Sequence, residues 1–404
     1  MKRLTLLLLG LALGVSATAS AQGLTMQMSN GWSFSFSGNV NAFWVFSSRD
    51  SGPQGPKLTN SSIRTGLLPA FATFDARGKE GGLNLGVHIG FAPQIQNGGN
   101  AHDQFGTQID MRQVYLTVGF KDGSQILAGR ELGLFDRQNI LNDMTLFGVG
   151  AVGPGLQQAG GTTLGRIGYG YLYPNFNAQV TYSSAAKNQV QFSVGLFQPS
   201  VILGGGAGSP AYSVTSIPRL EAEVVGRPKM SGNTKLMIWV GGEWQKIKRT
   251  AAIDSSVSAV GVTGGLKLDV SEFAIVASYY TGKGIGGVTV INGVGIGGFG
   301  FASTAFAGDG TGRKFDGGIA QVTYAAGKKT TVGASWGFTR EKAAGTSSSD
   351  GSDAVLAQWS SYTGGVYHQW TKSLKLVAEY TREVNGRAGQ SNQNIGAAGF
   401  MLFF

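Results

Sequence analysis

The chain has 404 residues, 66 of them glycine and 10 proline, with no cysteine and a formal net charge of +10. The lack of cysteine excludes disulfides and thiolate metal sites, and the glycines follow no three-residue period, which excludes a collagen-like rod. Mean hydropathy is near zero, at +0.02, and no stretch beyond the N-terminus is long and apolar enough for a helical span; a membrane crossing would need strands with one greasy and one wet face.

The first predicted element is a secretory signal over 1–21. Lys2 and Arg3 form its basic start, Leu4 to Val15 its apolar core, and Ala19-Ser20-Ala21 its cleavage site. Its removal takes the charge from +10 to +8 and leaves 22–404 as one large all-β domain. Trp32 to Phe46 then alternates: Trp32, Phe34, Phe36, Val40, Trp44 and Phe46 on one face, Ser33, Ser35, Ser37, Asn39 and Asn41 on the other. Period two over such a length predicts a strand with a lipid-like face, its aromatic ends at two interfacial girdles. A strand over 62–76 returns to a short turn at 77–82, and 83–91 alternates Leu83, Leu85, Val87, Ile89 and Phe91 against Asn84, Gly86, His88 and Gly90. Strands 109–120 and 125–130 follow.

The stretch 131–161 breaks the alternation and is too long for a hairpin connection. It carries Glu131, Asp136 and Asp143 among apolar anchors such as Leu134, Phe135, Ile140, Met144 and Phe147, which seek burial. We expect it to fold into the barrel and narrow the bore. Beyond it lie 166–173 and 176–184, split by Pro174. A barrel whose ends meet on one side needs an even number of strands, so 166–184 is read as one bent strand. Strands at 188–198, 216–226, 234–248, 257–268, 273–283, 313–325, 330–341, 353–369, 373–384 and 393–404 complete sixteen. Their connections alternate between short and long, the outer-membrane pattern; the longest is 284–312. The last strand ends in Phe400, Leu402 and Phe404, suited to closing against the first. The expected fold is an all-β transmembrane antiparallel barrel.

Basic side chains on the wet face would concentrate anions. Candidates are Arg64, Arg77, Arg112, Arg130, Arg166, Arg219 and Lys267; each is otherwise a solvated rim charge. Glu221 and Glu223 share the face of Arg219 and would neutralise it. Strict alternation puts Arg112 with Val114, Leu116 and Val118. A lipid-facing arginine at mid-depth costs about 2–4 kcal/mol, so Arg112 and Arg130 either lie near strand ends or follow a bulge that reverses the register. Glu131, Asp136 and Asp143 would face the wall arginines or tie the stretch to the wall. Catalytic signals are poor. His88, His102 and His368 fit no metal spacing, and no nucleophile elbow, phosphate loop or dinucleotide fingerprint is present. Basic residues are dispersed, against nucleic-acid binding, and nothing calls for a cofactor.

Met-Arg-Gln-Val-Tyr-Leu-Thr-Val-Gly at 111–119, Gly-Arg-Glu-Leu-Gly-Leu-Phe at 129–135, Arg-Ile-Gly-Tyr-Gly-Tyr-Leu-Tyr at 166–173 and the terminal Phe404 carry a resemblance. With them the whole mature chain resembles the trimeric general porins of Gram-negative outer membranes, particularly a branch with many anion-selective members. The resemblance implies sixteen strands, a homotrimer surrounded by outer-membrane lipid, and a third loop folded inward as an eyelet. It puts Arg112 and Arg130 on the basic wall with Arg64, Arg77 and Arg166 as companions, and the acidic side at Glu131, Asp136 or Asp143. The family loop often has a denser acidic cluster than this one. The expected function is a multi-pass outer-membrane diffusion channel for small hydrophilic solutes, preferring anions. The alternative is a substrate-specific channel for small carboxylates or similar anions, and a barrel hydrolase ranks last.

Overall fold

The computed structural model describes residues 23–95, 109–153, 162–200, 202–203, 211–249, 256–286, 305–387 and 389–404. The signal segment 1–21, His102, the stretch 154–161 and most of 284–312 lie outside the described residues.

The strands are β1 (Leu24–Gln27), β2 (Ser33–Arg49), β3 (Leu58–Arg64), β4 (Phe71–Glu80), β5 (Leu83–Pro93), β6 (Ile109–Gly119), β7 (Gln125–Leu132), β8 (Phe176–Ser183), β9 (Val190–Phe197) and β10 (Ile202–Leu203). They continue as β11 (Ala211–Val214), β12 (Arg219–Gly226), β13 (Lys235–Arg249), β14 (Ser256–Val270), β15 (Phe273–Lys283), β16 (Lys314–Ala326), β17 (Thr330–Lys342), β18 (Val355–Gln369), β19 (Leu374–Asn385) and β20 (Gln393–Phe403). All belong to one sheet, which closes as a 16-stranded antiparallel transmembrane barrel.

Twenty strands make sixteen staves because some share a line. β3 and β4 both pair with β2, at Phe43↔Arg64 and Asn39↔Phe71. β1 pairs with β2 at Leu24↔Phe36, just below the end of β20. β20 closes the barrel on β2 through Val40↔Leu402 and Ala42↔Phe400, as expected for a wall that leaves no edge in lipid.

The alternation read from the sequence holds along the wall. In β9, Val190, Phe192, Val194 and Leu196 are exposed while Gln191 and Ser193 are buried. In β2, Val40, Trp44 and Phe46 are exposed while Asn39, Asn41, Phe43 and Val45 are buried. An exposed apolar face with a buried polar one inverts a water-soluble protein, and matches a strand between lipid and a wet interior.

Two expectations change. The expected strand over 62–76 is broken: residues 65–70 leave the ladder between β3 and β4. There Leu67 donates its N–H to the Gly148 carbonyl and Leu68 to that of Leu146. The backbone bonds given up to β2 are remade with the stretch after β7. The bent strand over 166–184 does not form either. Only β8 belongs to the wall, and 166–173 is a run of turns and isolated bridges. Its Arg166, Tyr169, Tyr171 and Leu172 are fully or almost fully buried. The even strand count therefore stands because 166–173 is absent from the wall, not because it joins β8.

Candidate functional site

The connection from β7 to β8 thus spans 133–175. It holds a short helix, α1 (Arg137–Leu141), and a 3-10 turn at Met144–Phe147. Most of its described backbone is irregular, so the N–H groups there need partners that no ladder supplies. Three glutamates of the wall provide them, each bonding two consecutive N–H groups. Glu221 Oε2 accepts from Leu134 and Phe135 at 2.6 and 3.0 Å. Glu379 Oε2 accepts from Val149 and Gly150 at 2.8 and 2.7 Å. Glu383 Oε1 accepts from Val152 and Gly153 at 2.7 and 3.1 Å. Charge-assisted bonds of this kind are the stronger ones.

Side chains add further ties. Arg137 pairs with Glu223, and Gln138 Nε2 donates to the same carboxylate. Asn139 bonds Thr263 and accepts from the Trp239 indole at 2.9 Å. Gln321 accepts from Met144 N and donates to the Asn142 carbonyl, at 2.8 and 2.9 Å. Arg166 donates to the carbonyls and hydroxyls of Ser335 and Ser361, on β17 and β18. All these wall partners have the buried parity of their strands, from β12 round to β19. Leu67, Ile140, Leu146, Leu164, Ile167, Tyr169, Tyr171, Trp239 and Trp359 pack into one apolar cluster between segment and wall. Leu141, Phe147 and Tyr173 lie against it half-exposed.

A family profile described as Gram-negative porin matches residues 5–388. The chain belongs to that family. Solved structures of similar fold include the outer membrane channel DcaP of Acinetobacter baumannii, at 14% identity and a TM-score of 0.63 over 94% of this chain and 99% of the other. The anion-selective porin from Comamonas acidovorans has 14% identity and a TM-score of 0.62, over 92% of this chain and 100% of the other. Salmonella typhi OmpF, in complex with daunomycin, has 12% identity and a TM-score of 0.59, over 94% and 100%. No curated sequence matches. At these identities the structures speak for fold alone. Family and barrel together make this an outer-membrane porin, a multi-pass β-barrel that transports rather than catalyses.

The porin distributes its expected site residues unevenly. Arg64 is buried and donates to the Thr162 carbonyl at 2.8 Å. Arg77 is exposed, 3.3 Å from Asp75, which also meets His88 Nδ1 at 3.1 Å. Arg112 is the extra residue of a bulge, since Gly90 pairs with Gln113 and Phe91 with Met111. The bulge is one of the two exits that alternation left open, and it turns Gln113 toward Glu131, which accepts from it at 2.8 Å. Arg112 itself bonds Asp110 and lies over the Phe176 ring. Arg130 is exposed and pairs across to Val114 and Ala178, both exposed as well. It therefore has the outward parity, the opposite of Glu131, and alternation outweighs the resemblance at this residue. Arg166 belongs to the segment and bolts it to the wall.

The acids do not face those arginines in ion pairs. Asp136 accepts from Asn139 Nδ2 and from Leu172 N at 2.6 and 2.8 Å, tying the start of the segment to its end. Asp143 accepts from the N–H and hydroxyl of Thr145 and from the Tyr171 hydroxyl at 2.7 Å. Arg219 pairs with Glu221 at 2.9 Å, as the shared face suggested. Sequence reasoning missed Glu379, Glu383 and Gln321 as anchors. Their signal was present only in part: all three lie on the polar parity of their strands, where water alone could have satisfied them. Lys375 was missed too; its Nζ lies 4.1 Å above the Phe147 ring.

Proposed function

We propose that the described parts of the segment, 133–153 and 162–175, lie within the barrel as a constriction, and that the porin is a passive diffusion channel for small hydrophilic solutes with a preference for anions. One observation carries the first half: the segment's partners on β12, β14, β16, β17, β18 and β19 all share the buried parity. A segment lying outside would have to meet the exposed apolar parity. Half-exposed residues beside it are Asp75, His88, Gln113 and Tyr115 on β4–β6 and Arg137, Leu141, Phe147 and Tyr173 on the segment. These are candidates for the narrowest lining.

The anion preference rests on the +8 charge of 22–404 and on the state of the carboxylates. Glu221, Glu379, Glu383, Asp136 and Asp143 are occupied by donors, so their charge is compensated locally. Arg77 and Lys267 stay at least partly accessible. One protein of similar fold is described as anion-selective. Reversal potentials across a planar bilayer in a KCl gradient test the preference; clear cation selectivity sinks it. The reading favoured by Lys375 over Phe147 is a channel tuned to carboxylates with an apolar part, which would show saturable current block by such solutes and not by glucose. A homotrimer of the general-porin type is the proposed assembly, to be checked by mass measurement in detergent.

A further inference from the structure

The net charge of 22–404 is concentrated at one end of the barrel. The turns and strand ends at the short-turn end, 77–82, 120–124, 184–189, 227–235, 269–272, 327–329 and 370–373, contain ten basic and four acidic side chains. They hold +6 of the +8; the other residues of 22–404, with twenty basic and eighteen acidic side chains, are nearly balanced. Lys79, Lys121, Lys187, Lys229, Lys328 and Lys372 are exposed, and among the described residues none of the six forms an ion pair. Two of the four acids are engaged elsewhere. Glu80 accepts from the Trp32 indole at 3.0 Å, and Asp122 accepts from the N–H and hydroxyl of Ser124 at 3.0 and 2.7 Å. The long-loop end is the opposite case: Arg340 and Lys342 share Asp316, Arg382 meets Asp50 at 2.6 Å, and Arg313 and Arg387 both meet Glu341.

The basic charge continues from the rim onto the wall. Arg77 pairs across to Ser33, Lys267 to Met237 and Lys375 to Met401. These three cations lie on β4, β14 and β19, all on the parity opposite to the apolar exposed face. Lys375 ends the track at the segment, against the Phe147 ring. The rim charges come from separate turns spread around the barrel, so they build no pocket for one bound ligand. A ring of one sign around a mouth acts instead on every mobile ion within it, raising the local concentration of counter-ions.

We propose that the short-turn rim is an electrostatic antechamber for small anions: it enriches them at that mouth, and the channel carries them more readily from the rim than from the long-loop end. This rests on the channel reading above and not on the sign preferred at the narrowest point. Short turns face the periplasm in outer-membrane barrels, so the enriched side is the periplasmic one. Successive turns are two strand spacings apart, about 10 Å. The Debye length is about 10 Å at 0.1 M salt and about 3 Å at 1 M. The fields of neighbouring turns therefore merge into one ring at the lower salt and separate at the higher. Anions driven from an enriched end into a neutral one fill the bore, and driven the other way they deplete it, so the current depends on polarity.

The test uses the full barrel in a planar bilayer with equal KCl on both sides. The chain has no cysteine, so Lys187→Cys/Lys328→Cys places two labels on well-separated turns of the rim. Each channel is recorded before and after a thiol reagent bearing either an ammonium or a sulfonate, so one folded molecule serves as its own control. After the label is removed by reductant, a thiol-reactive polyethylene glycol too large to cross reports which chamber the rim faces. At 0.1 M KCl, where the field reaches about 10 Å, the wild type should pass about 1.5 times more current when the rim side is negative. The ammonium label should keep that ratio, and the sulfonate label should abolish or reverse it and lower the chloride-to-potassium permeability ratio at least twofold. At 1 M KCl the two labels should give the same current. The same chemistry on Lys246→Cys/Lys248→Cys, exposed positions at the long-loop end of β13, should leave the direction of the asymmetry unchanged. Equal currents with the two rim labels at 0.1 M, a difference that persists in full at 1 M, or an equal loss from the β13 labels overturns the proposal. Cation selectivity of the wild type at 1 M, where the rim is screened, would instead sink the preference proposed for the bore and leave the rim result standing.

Discussion

At the scale of single residues, the wall glutamates act as acceptors before they act as charges. Glu379 takes two backbone N–H groups and the Tyr367 hydroxyl at 2.6 Å. Glu379→Ala leaves three buried donors without a partner, and each orphaned group costs about 1–3 kcal/mol. We expect a lower unfolding temperature in the gel-shift assay and a noisier open-channel current; an unchanged trace and midpoint would remove Glu379 as an anchor. Arg166 makes a parallel case. Its planar fork reaches two strands at once, which a lysine cannot reproduce. Arg166→Lys should therefore loosen the segment nearly as much as Arg166→Met, read as the rate of current flicker. Were Arg166 only a point charge, lysine would rescue it.

Among the elements, the segment and the broken stave form one unit. Gly148 lies where their backbones meet Glu379: a Cβ there would stand 1.9 Å from the carboxylate oxygen. Gly148→Ala should displace the carboxylate and weaken the Val149 and Gly150 bonds. Gly364→Ala, on β18 with nothing within 4 Å of the added carbon, should leave melting and conductance unchanged. Equal behaviour of the two variants would show that the close packing at Gly148 is dispensable. The wall was legible at this scale because lipid imposes period two on one face of every stave. The break at 65–70 was not legible, since Thr65 to Ala70 carries no turn signal beyond Gly66 and Pro69 and its partners are remote in sequence. The run 166–173 misled for a related reason. Arg166, Gly168 and Gly170 alternate with apolar residues, but that apolar set packs on the segment's own cluster instead of lipid. Period two identifies a two-sided environment and does not say which two sides. Asp136, Asp143 and Arg166 stood out in the sequence only as charges among apolar residues. Their partners were not legible, because hydroxyls and backbone groups leave no charge pattern to read.

Over the whole molecule, the long-loop end is cross-braced. Arg313 meets Asp350 at 2.8 Å and Glu341 at 3.1 Å, and Arg387 reaches Glu341 at 2.9 Å. Three connections are thereby joined at the mouth. The hydrogen bonds from Arg313 hold the Asp350 carboxyl below its usual range. A depressed carboxylate stabilises the fold above its unfolded pKa, about 3.9, and loses that contribution as pH falls through the lower folded value. We expect amide exchange in 343–354 to quicken as pH drops below about 3.9, once corrected for intrinsic rates. Asp350→Asn should show fast exchange at neutral pH and no acid step. An acid step preserved in Asp350→Asn would shift the brace to Glu341.

The anchors also set an order of assembly. Leu134 finds its acceptor 87 residues further along the chain, Val149 finds its own 230 residues on, and Val152 231. Contacts so distant in sequence are late ones, and the last two lie on β19, the neighbour of the closing strand. A chain that has not yet delivered its C-terminal strands cannot dock the segment in full. Under the proposed constriction, completing the wall and setting the bore are one event, so a truncated or half-inserted barrel would be unfinished in both respects and not a working wider channel.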